Sequence, residues 1–416
     1  MRVMVVSPYL PHRLVGHGGG VSVRGLLSQL ARRHDVTLCT LLRPGEADYL
    51  ADVASLGVGI RAIPYADRGA SGSQRLRVSA ARCGAWLRSR RSGLPFYAEK
   101  YWSAALRAAV LAAAAETRPD VIQIEYLQLA LLCRDLRRWR DGGGGRPATS
   151  PRLILNSHEL GSLPLRRRAA ASRAPCRRLA LEARARAWER LQVRATRWAD
   201  TTLCVTDQDR TLLESAGGVR CVTVPLGIDT ESVTAVWEGR EPATFLFVGS
   251  FAHRPNRVAA KFLVDKVWPR VAQYSDSVRL VLAGRGSEAF LGSLPERDGR
   301  VSASGFVEDL TPLYRDCALF VAPLNEGGGI KIKILEAMAR GIPVVTTPIG
   351  AEGIVDSVED AMVIAAGEAS FAEAMIRALN EPEASRLRAR RARRIIEDRF
   401  SWSAITERLT SLYEGR

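Results

Sequence analysis

Three groups of residues have types and spacings suited to chemistry. The first is Gly327-Gly328-Gly329, followed by Lys331, Lys333 and Glu336. Glycine lacks a Cβ, so backbone there can approach a bulky group closely, and the free N–H groups of a helix start favour anions. Two lysines at a helix start run against the helix dipole, which prefers acids. An anion from outside the chain accounts for them, with phosphate the first guess. A second reading stays open: Lys333 and Glu336 stand i,i+3 and Glu336 and Arg340 i,i+4, the spacing of a solvated ion-paired face. The second group is His17 with Gly18-Gly19-Gly20 and Arg24. The third is Asn156, His158 and Glu159, close together in LNSHEL; Glu125 stands apart, at the end of VIQIEY.

The elements that must hold these groups follow from apolar patterning. Residues 319–324 (LFVAPL) read as a strand buried on both faces. Residues 330–340 read as a helix with Ile334, Leu335 and Met338 on its apolar side and Gly341 as its stop. Residues 343–347 return as a strand, completing a βαβ unit with a glycine loop. The N-terminus repeats this plan: strand 1–7, loop 8–20 ending in HGGG, helix 21–33 and strand 36–42. Strands at 121–126 and 152–160 put Glu125, Asn156, His158 and Glu159 at carboxyl ends, which face ligands in open parallel sheets. A lone histidine is more often structural, so these residues alone leave His158 open. Asp207-Gln208-Asp209 has the spacing of a metal–nucleotide site, but Thr206 and Asp209 read better as a helix cap, so a metal is not expected.

The chain has 416 residues, enough for two domains. Seven scattered cysteines form no CxxC or Cys/His cluster and are expected to be buried small apolar residues. The first apolar run is too short for a signal peptide and no run approaches about 18 residues, so a cytoplasmic protein is expected. Charge is uneven. Residues 1–241 hold 37 Lys+Arg and 22 Asp+Glu, a net +15, against +1 for the remainder. A basic half suits anionic lipid, nucleic acid or a phosphorylated substrate, or is simply a solvated surface. Residues 165–198 are the most basic stretch and read as a long helix, either membrane-facing or core-striped by Leu181, Trp188, Leu191 and Trp198.

The stretch GGGIKIKILEAMARGIPVVTTPIGAEGI resembles the donor-binding signature of family 4 glycosyltransferases. The likeness continues in order through VVSPYLP, the first GGG loop, LNSHEL, VPLGID, LFVGSFAHRPN, VLAGRG, SGFVEDL and the closing FSW. It implies an α/β chain of two Rossmann-like domains facing across a cleft, the GT-B fold. Residues 1–230 would bind acceptor and 231–399 nucleotide-sugar, with a helix in 400–416 crossing back to the N-terminal domain. The implied reaction moves a hexose-type sugar from a nucleotide-diphospho-sugar, a UDP-sugar being the first choice, to a hydroxyl acceptor. It would proceed with retention and without metal or other cofactor. The acceptor would be a lipid-linked glycan or a small-molecule glycoside, in cell-envelope or natural-product biosynthesis. Peripheral contact with anionic membrane is open, and nucleic acid is not an expected partner.

By the same resemblance, Glu336 holds the ribose diol and Lys331 or Lys333 neutralises the diphosphate. His158 stands near the transferred sugar. Gly19, Gly20, Ser250, Arg254, Asn256, Arg285, Val307, Gly328 and Gly329 fall on the donor side, and His17, Arg24 and Glu125 on the acceptor side. Two departures stand out. The commoner pattern has two glutamates eight positions apart, and here Gly328 occupies the first place while Glu326 is displaced by two. The commoner Arg and Lys after the second domain's first strand are replaced by Ser250 and Pro255, so Arg254, Asn256, Lys331 and Lys333 are the expected substitutes. Two rival readings are a sugar-nucleotide epimerase of the same fold and a catalytically inactive basic protein that binds membrane or nucleic acid.

Overall fold

A computed structural model describes residues 1–15, 18–66, 73–144, 150–233, 235, 244–295, 298–354 and 361–415. His17 and most of the linker expected at 231–242 lie outside them. The chain divides into two units. The first gathers Met1–Val15, Gly19–Pro225 and Thr406–Arg416, and the second is chiefly Leu226–Ile405.

The first unit is built on seven strands: β1 (Arg2–Ser7), β2 (Asp35–Leu42), β3 (Gly59–Pro64), β4 (Val121–Glu125), β5 (Arg152–Asn156), β6 (Thr201–Cys204) and β7 (Cys221–Thr223). All pair in parallel, in the order β3-β2-β1-β4-β5-β6-β7. Helical connections cover both faces of such a sheet, which is why β1 is an apolar run without alternation and β4 is buried throughout, Gln123 and Glu125 included. Val3 to Ser7 and all of β4 are buried. Burying each Val, Leu or Ile side chain is worth roughly 1.5–3 kcal/mol, so these central strands set the register of the whole unit. The strand order reverses between β1 and β4, whose carboxyl ends carry Ser7 and Glu125.

The second unit repeats the plan with six strands: β8 (Thr244–Val248), β9 (Arg279–Ala283), β10 (Val301–Gly305), β11 (Leu319–Ala322), β12 (Val344–Thr346) and β13 (Val363–Ile364). Their order, β10-β9-β8-β11-β12-β13, is again wholly parallel and reverses between β8 and β11. Phe245, Phe247 and Phe320 lie in its core with Trp268 and Tyr314. The fold class is therefore the expected one, two parallel-sheet α/β units as in GT-B proteins.

Several local expectations are corrected. Gly18, Gly19 and Gly20 form the first turn of the helix Gly18–Ala31 rather than a loop before it. The helix after Gly329 begins at Ile332, with Lys331 at its N-cap, because Gly327 and Gly329 adopt positive φ and hold the chain out of helix. Cys83 and Cys176 are exposed, against expectation, because both sit on the outer faces of arginine-rich helices; all seven cysteines are free. The basic stretch forms two helices, Leu163–Ala170 and Pro175–Trp198. Leu181 and Leu191 are buried and Trp188 and Trp198 pack on the core, so the longer helix is core-striped.

Candidate functional site

The second unit gathers its polar groups where its strand order reverses. Gly249 and Ser250 follow β8, and Pro323 to Gly329 follow β11. The helix Arg254–Phe262 starts here, with Asn256 in its first turn, and Ile332–Ala339 brings in Lys333. Lys333 Nζ donates to Asn256 Oδ1 at 2.7 Å and lies 4.7 Å from the centre of the Phe247 ring. Asn256 Nδ2 in turn donates to the Ser250 carbonyl at 2.9 Å. A Cβ on Gly249 would stand 2.7 Å from Asn256 Nδ2 and 2.8 Å from Lys333 Nζ, so glycine keeps this corner open. Among the described residues no acid pairs with Lys333. Burial, and then the charge of Lys331, push its pKa from 10.5 down to about 7. A cation made costly in this way gains from an arriving anion.

The other expected donor-side residues divide. Lys331 is engaged by its own partners, donating to the Gly329 carbonyl and standing 4.0 Å from Glu352. Arg254 pairs with Glu326, the glutamate displaced from the commoner pattern. Glu336 lies 3.5 Å from Arg340, and its side chain keeps 29% exposure, enough to accept from a ligand. Burial raises its pKa, opposed chiefly by Arg340. Arg285 stacks over Phe306 at 4.9 Å, and half-buried Val307 follows β10. Gly328 is partly open and Gly329 buried. His253, the N-cap of the helix Arg254–Phe262, escaped sequence reasoning; burial and then Lys333 lower its pKa. Gly249 escaped too, although its place just past an apolar strand was a usable signal.

The first unit has its own cluster at the carboxyl ends of β4 and β5. Glu125 has no exposed surface and accepts three hydrogen bonds. Gln123 Nε2 reaches its Oε1 at 2.6 Å, while Asn156 Nδ2 at 3.1 Å and His158 Nε2 at 2.5 Å reach its Oε2. The His158 ring stacks on Tyr126, with centroids 3.9 Å apart and planes 7° from parallel. Both residues have positive φ, 56° and 72°, a strain that persists only where packing overdetermines it. Tyr126 packs edge-on against Tyr9. A Cβ on Gly19 would lie 1.7 Å from the Tyr126 hydroxyl, so that helix turn must be glycine. Gly20 is buried beside it in the chain.

Two atoms of this cluster are buried without a hydrogen-bond partner among the described residues: His158 Nδ1 and the Tyr126 hydroxyl. Buried polar atoms without a partner call for an explanation, and at strand carboxyl ends a ligand hydroxyl is one. Of the expected acceptor-side residues, Arg24 is engaged elsewhere. Arg24 makes a two-pronged pair with Asp52, at 2.9 and 3.2 Å. Glu125 is sealed within protein, so direct acceptor contact does not fit its position. Asp207 is held by the Thr223 hydroxyl at 2.7 Å and Thr206 caps the Asp209 amide at 2.9 Å, so the DxD spacing serves a helix start.

Sequence comparison decides the family. Residues 16–232 match the sequence model described as Glycosyltransferase Family 4, and residues 242–381 match that of Glycosyl transferases group 1. The chain belongs to glycosyltransferase family 4. Among curated relatives of this family member, a phosphatidyl-myo-inositol mannosyltransferase of Mycobacterium leprae is 28% identical over 229 residues, 51% of this chain and 58% of that protein. A protein encoded in the cps region of Klebsiella pneumoniae is 31% identical over 138 residues, 32% of this chain and 36% of its own length. The chain thus spans about a third to under three-fifths of these curated relatives. Solved structures of similar fold include Anabaena HepE in complex with UDP-glucose (TM-score 0.66, 14% identity, all of both chains). Another is sucrose-phosphate synthase from Thermosynechococcus elongatus (TM-score 0.66, 18% identity, all of this chain and 98% of that one).

Proposed function

We propose that this family 4 protein transfers a hexose-type sugar from a nucleotide-diphospho-sugar to a hydroxyl acceptor, retaining the anomeric configuration and using no metal. The single observation that carries the reading is Lys333: a half-buried cation, with no acid paired to it among the described residues, beside Asn256, Gly249 and the start of a helix, at the strand-order reversal of the second unit. Charge accumulates on the departing diphosphate during transfer, and a preorganised cation and helix N–H groups stabilise it without a metal or a protonating residue. Glu336 then takes the ribose hydroxyls, since a carboxylate accepts two at once. A UDP-sugar is the first choice of donor, in keeping with the UDP-glucose complex of HepE.

A lipid-linked or envelope glycan acceptor is the favoured partner. Supporting it are the similarity to a phosphatidyl-myo-inositol mannosyltransferase and to a cps-region protein. The helix Ser73–Ser92 adds a physical argument, since it exposes Leu76, Trp86 and Leu87 among many arginines. Among the described residues no helix is long and apolar enough to cross a membrane, so contact with lipid would be peripheral. The test is consumption of UDP-, GDP-, ADP- and dTDP-sugars with and without chelator, with NMR of the anomeric proton of the released or transferred sugar. Turnover of one donor, unaffected by chelator and with configuration kept, is expected. Absence of turnover with folded protein and envelope lipid extract would overturn the reading.

A further inference from the structure

The first unit contains a buried hydrogen-bond chain that runs well past its candidate site. Tyr413, on the helix Trp402–Tyr413, donates its hydroxyl to Gln123 Oε1 at 2.5 Å. Gln123 Nε2 donates to Glu125 Oε1 at 2.6 Å, and Glu125 Oε2 receives His158 Nε2 at 2.5 Å and Asn156 Nδ2 at 3.1 Å. Gln123 and Glu125 have no exposed surface, and Tyr413 and His158 are 5% and 6% exposed. Protein, not solvent, therefore decides the proton positions.

An ionised carboxylate only accepts. Each of its three neighbours must therefore turn a donor toward it, which fixes both side-chain amides and the histidine tautomer. Gln123 must point its NH2 at Glu125, so its oxygen faces Tyr413, whose hydroxyl must then donate. His158 must carry its proton on Nε2, so the neutral ring has its free lone pair on Nδ1. That atom is buried without a hydrogen-bond partner among the described residues. Stacking on Tyr126 sets the ring plane, and the backbone of both residues is held at positive φ.

We propose that Glu125 is the positioning residue of this site, locking His158 with Nδ1 as a hydrogen-bond acceptor for a sugar hydroxyl, with Gln123 and Tyr413 holding Glu125 in place. The inference rests on the glycosyl-transfer reading for the hydroxyl's identity, and replaces the expected direct contact between Glu125 and acceptor. Anchoring of this kind orients a ring through the nitrogen that does not meet the ligand.

The test is long-range 1H–15N NMR of 15N-histidine-labelled protein at high pH, with the His158 signals assigned by His158→Gln. Wild type should show the Nε2-protonated tautomer alone. Glu125→Ala should release it to a mixture and lower kcat about tenfold, the worth of one well-placed hydrogen bond. Glu125→Gln should keep the tautomer. Its oxygen can replace Oε2, and its NH2 can meet a flipped Gln123 whose own NH2 then donates to Tyr413. Glu125→Gln with Tyr413→Phe removes that last acceptor and should lose the tautomer. An Nδ1-protonated ring in wild type, an unchanged tautomer in Glu125→Ala, or a changed tautomer at full kcat would each overturn the proposal. If Glu125→Ala does not fold, the wild-type tautomer and the double variant still decide it. The spectra need no turnover, so failure to consume any nucleotide-sugar would sink the transferase reading without obscuring whether Glu125 holds His158.

Discussion

At the residue scale, Lys333 ties the proposed donor site to a measurable pH dependence. Its pKa falls from 10.5 to about 7, chiefly through burial. Between those values the unfolded chain holds a proton that the folded protein has released. The unfolded state therefore binds more protons, and stability rises with pH across that window. Below it the full cost of a buried charge remains. Lys333→Met should raise the Tm at about pH 6, and the gap from wild type should close as the pH approaches about 10. The same change should abolish stabilisation by a nucleoside diphosphate. Scanning calorimetry across pH checks both, and a pH-independent gap would contradict the assignment. Gly19 gives a second test. Gly19→Ala drives a methyl into the Tyr126 hydroxyl and should cost about 1–3 kcal/mol in denaturant unfolding. Tyr126→Phe should recover only part of that loss, because the nearest clashing atom is gone while the ring carbon Cζ stays 2.8 Å from the new methyl, and a double-mutant cycle measures the coupling.

At the element scale, the strands were legible because parallel sheets bury both faces and leave continuous apolar runs. LFVAPL, TFLFVGS and VRLVLAG each became a strand, β11, β8 and β9, within two residues of the expected ends. Helix starts were harder. Glycine patterns announce a close backbone approach but not whether the glycines precede a helix or open it, and the two triplets resolved in opposite ways. Thr206 was readable because capping is local: its hydroxyl accepts from an amide three residues on. Thr206→Ala should cost about 0.5–2 kcal/mol and leave donor binding intact. Loss of donor affinity or appearance of a metal requirement on changing Asp207 or Asp209 would revive the DxD reading. The chain from Tyr413 to His158 was not legible. It joins residues 290 and 33 positions apart, and no local pattern reports which buried glutamate meets which histidine.

At the scale of the whole molecule, the imbalance of charge belongs to the first 241 residues, which carry a net +15. Part of it is internally paired, as in Arg24 with Asp52 and Arg140 with Asp200. Much of the rest lies on the helix Ser73–Ser92 and on the solvent-facing side of Pro175–Trp198. A lipid-linked acceptor predicts sedimentation with phosphatidylglycerol vesicles, weakening as salt rises to about 1 M, where the screening length falls to about 3 Å. Leu76→Ser with Trp86→Ala should weaken it further, since both side chains are exposed. Equal binding to neutral vesicles would remove the role of the basic surface, and no binding at low salt would favour a soluble acceptor. The claim beneath all of this is that the reversal point of the second sheet holds a nucleotide-sugar. Titration calorimetry of UDP, GDP, ADP and dTDP into wild type and Glu336→Ala tests it most directly. Heat from one nucleotide with wild type, lost or much reduced in the variant, is the predicted result. Folded wild-type protein that binds none of them, or binds one equally well without the Glu336 carboxylate, would contradict it.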